Sequence, residues 1–202
     1  MGYTAIVDYN VGNLASIQHA MDYIGVETVV TAEERVLERA DGIILPGVGA
    51  FPDAYAELEK RGLPKILHQQ AEKKPVLGIC LGMQLLLGSS SEVRECKGLN
   101  FVPGSVDRIK TDLKLPHIGW NSLHFTTPTP LFQGIDEGSY VYFVHSFCAS
   151  TDHAEHVYAV TDYGTEVVAA VGRGNVYGTQ FHPEKSGDVG LEILKNFVEL
   201  QK

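Results

Sequence analysis

Short apolar runs alternate with helix-forming segments over the first 89 residues of the chain. The apolar runs, each typical of a strand covered on both faces, lie at residues 3–8, 27–30, 42–45 and 76–79. The segments that follow carry helix formers or apolar residues at helical spacing, at residues 14–24, 33–39, 53–61, 63–73 and 81–87. Strands that alternate with helices predict βαβ units, hence a parallel sheet with right-handed crossovers and helices on both faces.

The pattern changes after Ser89. Gly, Pro, Thr and Asp punctuate short β-rich runs, which predict mostly antiparallel strands and hairpins appended to the sheet, at residues 104–108, 118–125, 140–147, 157–161, 167–171 and 175–180. Residues 189–200 place apolar side chains on one helical face and predict a terminal helix that packs on the core. Since no break in composition marks a boundary, we expect one α/β domain over residues 1–202.

One predicted strand runs directly into a helix at a cysteine. Residues 76–79 are apolar, Cys80 follows at once, and residues 81–87 are helix formers. A nucleophile at such a turn lies at the C-terminal edge of the sheet, with Gly78 and Gly82 relieving crowding, as in the G-x-S-x-G elbow. A helix N-terminus also favours thiolate over thiol. The alternative is a small buried apolar cysteine, and this stretch alone does not decide between the two.

Composition excludes several classes of function. The formal charge of −9 and the lack of a basic cluster argue against a nucleic-acid partner. The N-terminus reaches Asp8 before a signal-length apolar run develops, and no segment approaches a membrane-spanning length, so no membrane association is expected. Three cysteines without a C-x-x-C pair indicate neither a disulfide framework nor a zinc knuckle. We expect a protein of the reducing cytoplasm that needs no metal or other cofactor.

A general base for Cys80 is available at the end of a predicted strand. His182 follows the run at residues 175–180, at the edge where catalytic groups gather in α/β sheets. Pro183 pushes the backbone of His182 to extended geometry. His182 and Glu184 can then point to one side, so that the carboxylate holds Nδ1 and leaves Nε2 for a thiol. The alternative is a strand-end histidine beside a solvated glutamate.

Donors for an oxyanion are predicted at two places. The Gly47-Val48-Gly49 turn allows a backbone N–H to swing towards a ligand, and the N–H of Leu81 follows the nucleophile. A Gly-x-Gly sequence alone is usually just a turn. His145 could serve as a second base, although a lone histidine in an apolar strand is more often a satisfied structural residue.

Together, these motifs resemble those of the class I (triad) glutamine amidotransferases. The segments 46–49, 78–84 and 181–184 occur in the order, and at roughly the separations, of that family. Within the class, the chain most resembles the glutaminase subunits of imidazole glycerol phosphate synthase. The matches that point to this subgroup are residues 8–14, 46–51, 119–121 and 183–186.

The resemblance implies a Cys80–His182–Glu184 triad. It implies that Cys80 attacks the carboxamide of L-glutamine to give a thioester and ammonia, that His182 moves the protons, and that water releases glutamate. It further implies that Gln84 and Glu92 hold the glutamine, and that the backbone of His145, Ser146 and Phe147 receives its α-carboxylate. It also implies an oxyanion turn that must rearrange before it can donate.

The resemblance implies a partner as well. In the family this is a (β/α)8-barrel cyclase subunit, joined in a heterodimer, which receives the ammonia through an internal passage and makes imidazole glycerol phosphate and AICAR in histidine biosynthesis. The sole tryptophan, Trp120, suits an interface anchor, although a core position is the more usual one. The family positions facing the cyclase match Asn13, Trp120, Asn121, Tyr142 and Lys185.

Two other hypotheses remain open at this point. The triad could serve another ammonia-using synthase, such as pyridoxal phosphate synthase, although the Pro-Gly-Val-Gly turn and Gly119-Trp120-Asn121 argue against it. The chain could also be a non-catalytic binding or stress protein of α/β architecture with a redox-sensing cysteine, although the His-Pro-Glu sequence argues against that.

Overall fold

The structure, a computed structural model, describes residues 2–202, and this range contains fourteen β-strands and six α-helices. The strands are β1 Thr4–Val7, β2 Thr28–Thr31, β3 Gly42–Leu45, β4 Val76–Ile79, β5 Ser89–Ser90, β6 Cys96–Lys97, β7 Ser105–Arg108, β8 His117–Ser122, β9 His124–Phe125, β10 Tyr140–His145, β11 Phe147–Ser150, β12 Val157–Asp162, β13 Glu166–Arg173 and β14 Val176–Thr179. The helices are α1 Leu14–Tyr23, α2 Glu34–Arg39, α3 Phe51–Lys60, α4 Leu63–Ala71, α5 Leu81–Leu85 and α6 Gly187–Glu199. Short 3₁₀ helices lie at Pro130–Phe132, Ala154–His156 and Pro183–Lys185.

The central sheet has eight strands in the order β2-β1-β3-β4-β14-β13-β12-β9. The first five are parallel, and the last three continue the sheet with antiparallel pairing. This confirms the predicted α/β fold with a mostly parallel sheet and an appended antiparallel part. The run at 175–180 differs in one respect, because β14 joins the parallel half beside β4 and aligns Thr179 with Ile79. The chain that follows β14 therefore emerges next to the chain that follows β4.

Helices cover both faces of the sheet, as the alternating sequence pattern predicts. Apolar strand residues such as Ile6, Ile44 and Leu77 pack in one cluster with α1 and α6. Their neighbours Ala5 and Ile43 belong to the opposite cluster, to which α2 to α5 contribute. Successive strand residues point to opposite faces, so both clusters are built on the same strands.

Two predicted strands are each divided in two. The run at 118–125 breaks at Leu123, a fully buried residue, so that β8 pairs with β10 while β9 joins the central sheet. The run at 140–147 breaks at Ser146, where the chain leaves β8 and begins to pair with β7. Apolar periodicity does not reveal such a change of pairing partner, because both halves remain extended. The second break places residues 145–147 at a turn between two sheets.

No helix within residues 2–202 combines the length and the apolar character needed to cross a membrane.

Candidate active site

Cys80 occupies the turn between β4 and α5, as predicted. Its backbone angles, φ 55° and ψ −111°, are unusual for a residue with a side chain. Such a conformation costs about 1–3 kcal/mol and persists only where the surrounding structure imposes it. Here the Cys80 N–H donates to Thr179 O at 2.8 Å, and the Cys80 carbonyl accepts from Gln84 N at 3.1 Å. The side chain is held at the carboxyl edge of the sheet and is 7% exposed.

Glycines around the elbow allow close approach of three backbone segments. A Cβ at Gly82 would lie 1.9 Å from the carbonyl oxygen of Leu45, at the end of β3. A Cβ at Gly78 would lie 2.7 Å from the Gly82 carbonyl carbon, and one at Gly47 would lie 2.8 Å from Gly82 N. The predicted relief of crowding by Gly78 and Gly82 is therefore present in the structure.

His182 and Glu184 lie together after β14, but Glu184 lies in the Pro183–Lys185 3₁₀ helix rather than in the predicted extended segment. His182 Nδ1 is 2.8 Å from Glu184 Oε1, and the two side chains are only 3% and 1% exposed. Burial alone would lower the pKa of His182, but its interactions with Cys80 and with Glu184 outweigh burial and raise that pKa to about 9. His182 Nε2 is buried and has no hydrogen-bond partner among the described residues. The ring is thus oriented by the carboxylate at one nitrogen, while the other nitrogen is left available near the thiol.

Cys80 opens into a cavity of about 260 Å³. The predicted site residues on its wall are Gly49, Cys80, Leu81, Gln84, Glu92, His145, Ser146 and Phe147. Gly47, Val48, His182 and Glu184 are not among the wall residues, and the Val48 side chain is 44% exposed to solvent. Arg108 and Val144 also line the cavity, and no motif in the sequence singles them out.

The loop that contains Gly47 to Gly49 is held at its start by Tyr9. The Tyr9 hydroxyl donates to the Pro46 carbonyl at 2.5 Å, and the ring is fully buried. Burial, with a smaller contribution from Cys80, raises the pKa of Tyr9 far above its usual range, so the hydroxyl remains a donor. Gly49, with φ 103°, adopts a conformation that favours glycine. The motif at residues 8–14 contains Tyr9, but the sequence alone does not reveal this contact.

Two glutamines connect Cys80 to the neighbouring turn. Gln84 Nε2 donates to Phe147 O and to Gln180 Oε1, both at 3.0 Å. Gln180 Nε2 in turn lies 3.8 Å from Cys80 Sγ and is oriented to donate to it. Gln180 is fully buried, and sequence reasoning gave it no role. The sequence does contain a signal for Gln180. It lies two residues before His182, and in an extended chain two such side chains can point to the same side.

Glu92 lines the cavity and also caps the N-terminus of helix α3. Its Oε2 accepts the N–H of Phe51 at 2.8 Å, at the beginning of α3, where a carboxylate is favourable to the helix dipole. Its own N–H donates to Ser90 Oγ at 3.1 Å. The carboxylate is therefore fixed in position beside the cavity.

His145 is hydrogen-bonded at both ring nitrogens. Nδ1 is 2.9 Å from Phe147 O, and Nε2 is 3.1 Å from Nδ1 of His117, a second buried histidine. Burial lowers the pKa of His145 to about 4, even though the bond to Phe147 acts in the opposite direction. Of the two interpretations of His145, these contacts support the satisfied structural residue rather than a second base.

The side chains expected to face a partner have different surroundings. Trp120 is 54% exposed and meets Tyr142 edge-on across the β8–β10 pair, with ring centroids 6.1 Å apart. Lys185 is exposed in the adjoining 3₁₀ helix. Asn13 instead caps α1 through Ser16. The side chain of Asn121 lies on the other face of β8 from Trp120, where it donates to Asp162 O at 2.7 Å.

Potential metal ligands cluster away from the cavity wall. Within the described part of the chain, His153, Glu155 and His156 bring one ligand atom each to within 4.8 Å of one another around an exposed 3₁₀ helix. None of them lines the cavity beside Cys80.

Comparisons with known proteins identify the family of the chain. Residues 5–200 match the family described as "Glutamine amidotransferase class-I". The chain is 48% identical over 194 residues to the imidazole glycerol phosphate synthase subunit HisH of Bacillus thuringiensis (strain Al Hakam), and the match covers 96% of this chain and 92% of that protein. The HisH subunit of a Bacillus cereus strain is 50% identical over the same coverage.

Solved structures share the fold at lower identity. PurLQS from Thermotoga maritima superimposes with a TM-score of 0.79 at 20% identity and covers 100% of this chain and 99% of that chain. A glutamine amidotransferase from the same organism superimposes with a TM-score of 0.66 at 17% identity, covering 98% and 81% respectively. The match over residues 5–200 and the 48% identity show that the chain belongs to the class I glutamine amidotransferase family.

Proposed function

We propose that the protein is the glutaminase subunit of imidazole glycerol phosphate synthase, which hydrolyses glutamine and supplies ammonia to a cyclase subunit in histidine biosynthesis. The observation that carries this proposal is a buried His182–Glu184 pair that interacts with the elbow residue Cys80, which itself lines a small cavity. The names of the relatives, at about half identity over nearly the whole chain, support the choice of synthase.

The first half of the reaction forms a thioester. His182 Nε2 takes the proton of the Cys80 thiol, the thiolate Sγ attacks the carboxamide carbon of glutamine, and the C=O electron pair moves onto oxygen. The oxyanion accepts from the Leu81 N–H and from a backbone N–H of the Val48–Gly49 segment. When the intermediate collapses, the C–N bond breaks and His182 donates a proton from Nε2 to the departing nitrogen. In the free enzyme, interactions with Cys80 and Glu184 hold the pKa of His182 above its ordinary value, which favours a cationic ring that can then act as the acid.

The second half is hydrolysis. His182, now neutral, accepts a proton from water as the water oxygen attacks the thioester carbon. The C–S bond then breaks with its electron pair on sulfur, glutamate leaves, and His182 returns the proton to the Cys80 thiolate. Glu184 keeps the His182 ring in the same orientation during both halves, since Nδ1 stays bound to Oε1. The balance is glutamine plus water giving glutamate plus ammonia.

The cavity offers a distinct group to each end of the substrate. The Gln84 carboxamide is already held through its nitrogen, which leaves its oxygen as an acceptor for the ligand. The Glu92 carboxylate suits the α-ammonium group. The N–H groups of the turn at His145, Ser146 and Phe147 suit the α-carboxylate, and Arg108 adds a positive charge on the same wall.

The partner in this proposal is a (β/α)8-barrel cyclase subunit. The exposed side chains of Ile118, Trp120 and Tyr140 form an apolar surface on the β8–β10 ribbon, of the kind that partners cover. That ribbon is attached to the triad segment, because Tyr142 N donates to Ser186 Oγ and His182 N donates to Tyr142 O. Direct transfer keeps ammonia from becoming ammonium in bulk water.

Replacement of Cys80 tests the proposal. The Cys80→Ala chain is assembled with the cyclase subunit, and product formation is measured with glutamine and with an ammonium salt. We expect activity with glutamine to be lost and activity with ammonium to remain. Retained glutamine-dependent activity would contradict the role of Cys80, and failure of the wild-type chain to support product formation with this cyclase would contradict the choice of synthase.

A further inference from the structure

A line of hydrogen bonds joins β8 to the cavity through two buried histidines. It runs from Asn121 Nδ2 to His117 Nε2 at 3.3 Å, from His117 Nδ1 to His145 Nε2 at 3.1 Å, and from His145 Nδ1 to Phe147 O at 2.9 Å. His117 and Asn121 are absent from the cavity wall, and neither is needed for the chemistry described above. The line nevertheless ends on a carbonyl of the turn that lines the cavity.

Both ends of this line fix the direction of the protons. At one end, the Asn121 amide cannot be flipped, since Oδ1 accepts from Ser122 N at 2.9 Å and Nδ2 donates to Asp162 O at 2.7 Å. Nδ2 is therefore the atom that faces His117, and His117 Nε2 must accept. At the other end, Phe147 O can only accept, so His145 must carry its proton on Nδ1.

The proton positions required at the two ends agree at the bond between His117 and His145. A neutral His117 that accepts at Nε2 carries its proton on Nδ1, which donates to the bare Nε2 of His145. Each ring is neutral, and every nitrogen has one partner of the right kind. A proton added to either ring would place two N–H groups against each other. The burial that lowers the pKa of each histidine to about 4 acts in the same direction.

We propose that His117 is a positioning residue, which fixes the orientation and tautomer of His145 and thereby holds the 145–147 turn ready for glutamine. The Phe147 carbonyl is shared between His145 and Gln84, so a turned His145 ring disturbs both the turn and the side chain that contacts Gln180. Packing secures His117 itself, because its ring stacks between Phe143 at 4.8 Å and Tyr163 at 4.0 Å.

This inference rests on the proposed glutaminase function, and its test uses two matched variants in the assembled synthase. His117→Phe keeps an aromatic ring between Phe143 and Tyr163 but removes the donor to His145. His117→Asn loses the ring but can place an amide N–H near the position of Nδ1. A positioning role predicts that the Phe variant raises KM for glutamine by about tenfold with a smaller change in kcat, and that the Asn variant recovers most of this loss. Activity with ammonium salts should be unchanged in both.

The outcomes separate the two proposals. If the wild-type complex shows no glutamine-dependent activity, the proposed function fails. If the wild-type complex is active and the Phe variant has the same KM for glutamine, the inference is overturned. It is also overturned if the KM of the Asn variant is raised at least as much as that of the Phe variant. Nitrogen NMR of the wild-type chain at pH 7 gives a measurement that needs no variant. It should find His117 and His145 both neutral with the proton on Nδ1, and a proton on Nε2 of either ring would overturn the inference.

Discussion

His182 Nδ1 and Glu184 Oε1 are 2.8 Å apart, and both side chains are almost completely excluded from solvent. The second carboxylate oxygen, Oε2, is buried with no partner among the described residues. A buried carboxylate with one oxygen committed to a histidine gains most when that histidine is cationic. The pair is therefore arranged for a ring that gains and loses a proton at Nε2.

Replacement of Glu184 by glutamine tests this arrangement with little change in shape. The amide lacks the negative charge, so the pKa of His182 should fall and the ring should lose its fixed tautomer. We expect glutamine-dependent kcat to drop by about 10²- to 10⁴-fold, while activity with ammonium salts is kept. Steady-state rates of the assembled enzyme with each nitrogen source provide the measurement. A loss of less than threefold with glutamine would contradict the orienting role.

The raised pKa of His182 predicts how stability depends on pH. Because the folded-state pKa of about 9 exceeds the ordinary value of 6.5, this histidine stabilises the fold fully below pH 6.5, and the contribution is lost as the pH rises towards 9. Denaturant unfolding between pH 6.5 and 9 measures this loss. In Cys80→Ala the loss should be smaller, since interaction with Cys80 helps to raise the pKa. An equal loss in wild type and variant would refute that contribution.

The backbone of Cys80 predicts a difference between two inactive variants. Alanine at position 80 retains the cost of φ 55°, whereas glycine adopts this conformation readily. The Cys80→Gly chain should therefore be more stable than the Cys80→Ala chain, by about 1 kcal/mol in the free energy of unfolding. Urea denaturation of the two variants is the measurement. Equal stability, or a less stable glycine variant, would show that the elbow is not strained.

The buried histidines predict a loss of stability in acid. His117 and His145 have folded-state pKa values of about 4, below the ordinary 6.5, so the unfolded chain binds more protons and the free energy of unfolding falls as the pH drops from 6.5 to 4. His117→Phe and His117→Asn each remove one titrating group. Both should make the decline shallower, by up to about 1.4 kcal/mol per pH unit. An unchanged slope would mean that His117 is not held neutral by the fold.

The sequence predicted the parts of the site that depend on local geometry. Cys80 is predictable because strand and helix adjoin in sequence. Glu184 is predictable beside His182 because the two are neighbours in the chain, although a 3₁₀ helix rather than an extended segment brings them together. Gln180 and His117 cannot be predicted in this way, because their partners are distant in the chain. Gln84 and Gln180 are 96 positions apart in the sequence, and His117 and His145 are 28 positions apart. Periodicity does not encode which strands become neighbours.

Asn121 illustrates a different limit. The resemblance groups it with Trp120, yet adjacent residues of a strand point to opposite faces. In β8, the Trp120 side chain is exposed to solvent and the Asn121 side chain contacts His117. Strand alternation alone would have suggested this separation. What Asn121 contacts could only be learned once β8 was paired with β10 and placed beside Asp162.

The contact between Gly82 and Leu45 restricts where the site can move. With no room for even a methyl group between them, the nucleophile and the end of β3 behave as one rigid block, and Tyr9 extends that block to the Pro46 carbonyl. Space opens only beyond Gly47, since Val48 is substantially exposed and a Cβ added at Gly49 would meet nothing within 4 Å. We therefore expect any rearrangement of the oxyanion turn to be confined to Val48 and Gly49, with the thiol staying in place.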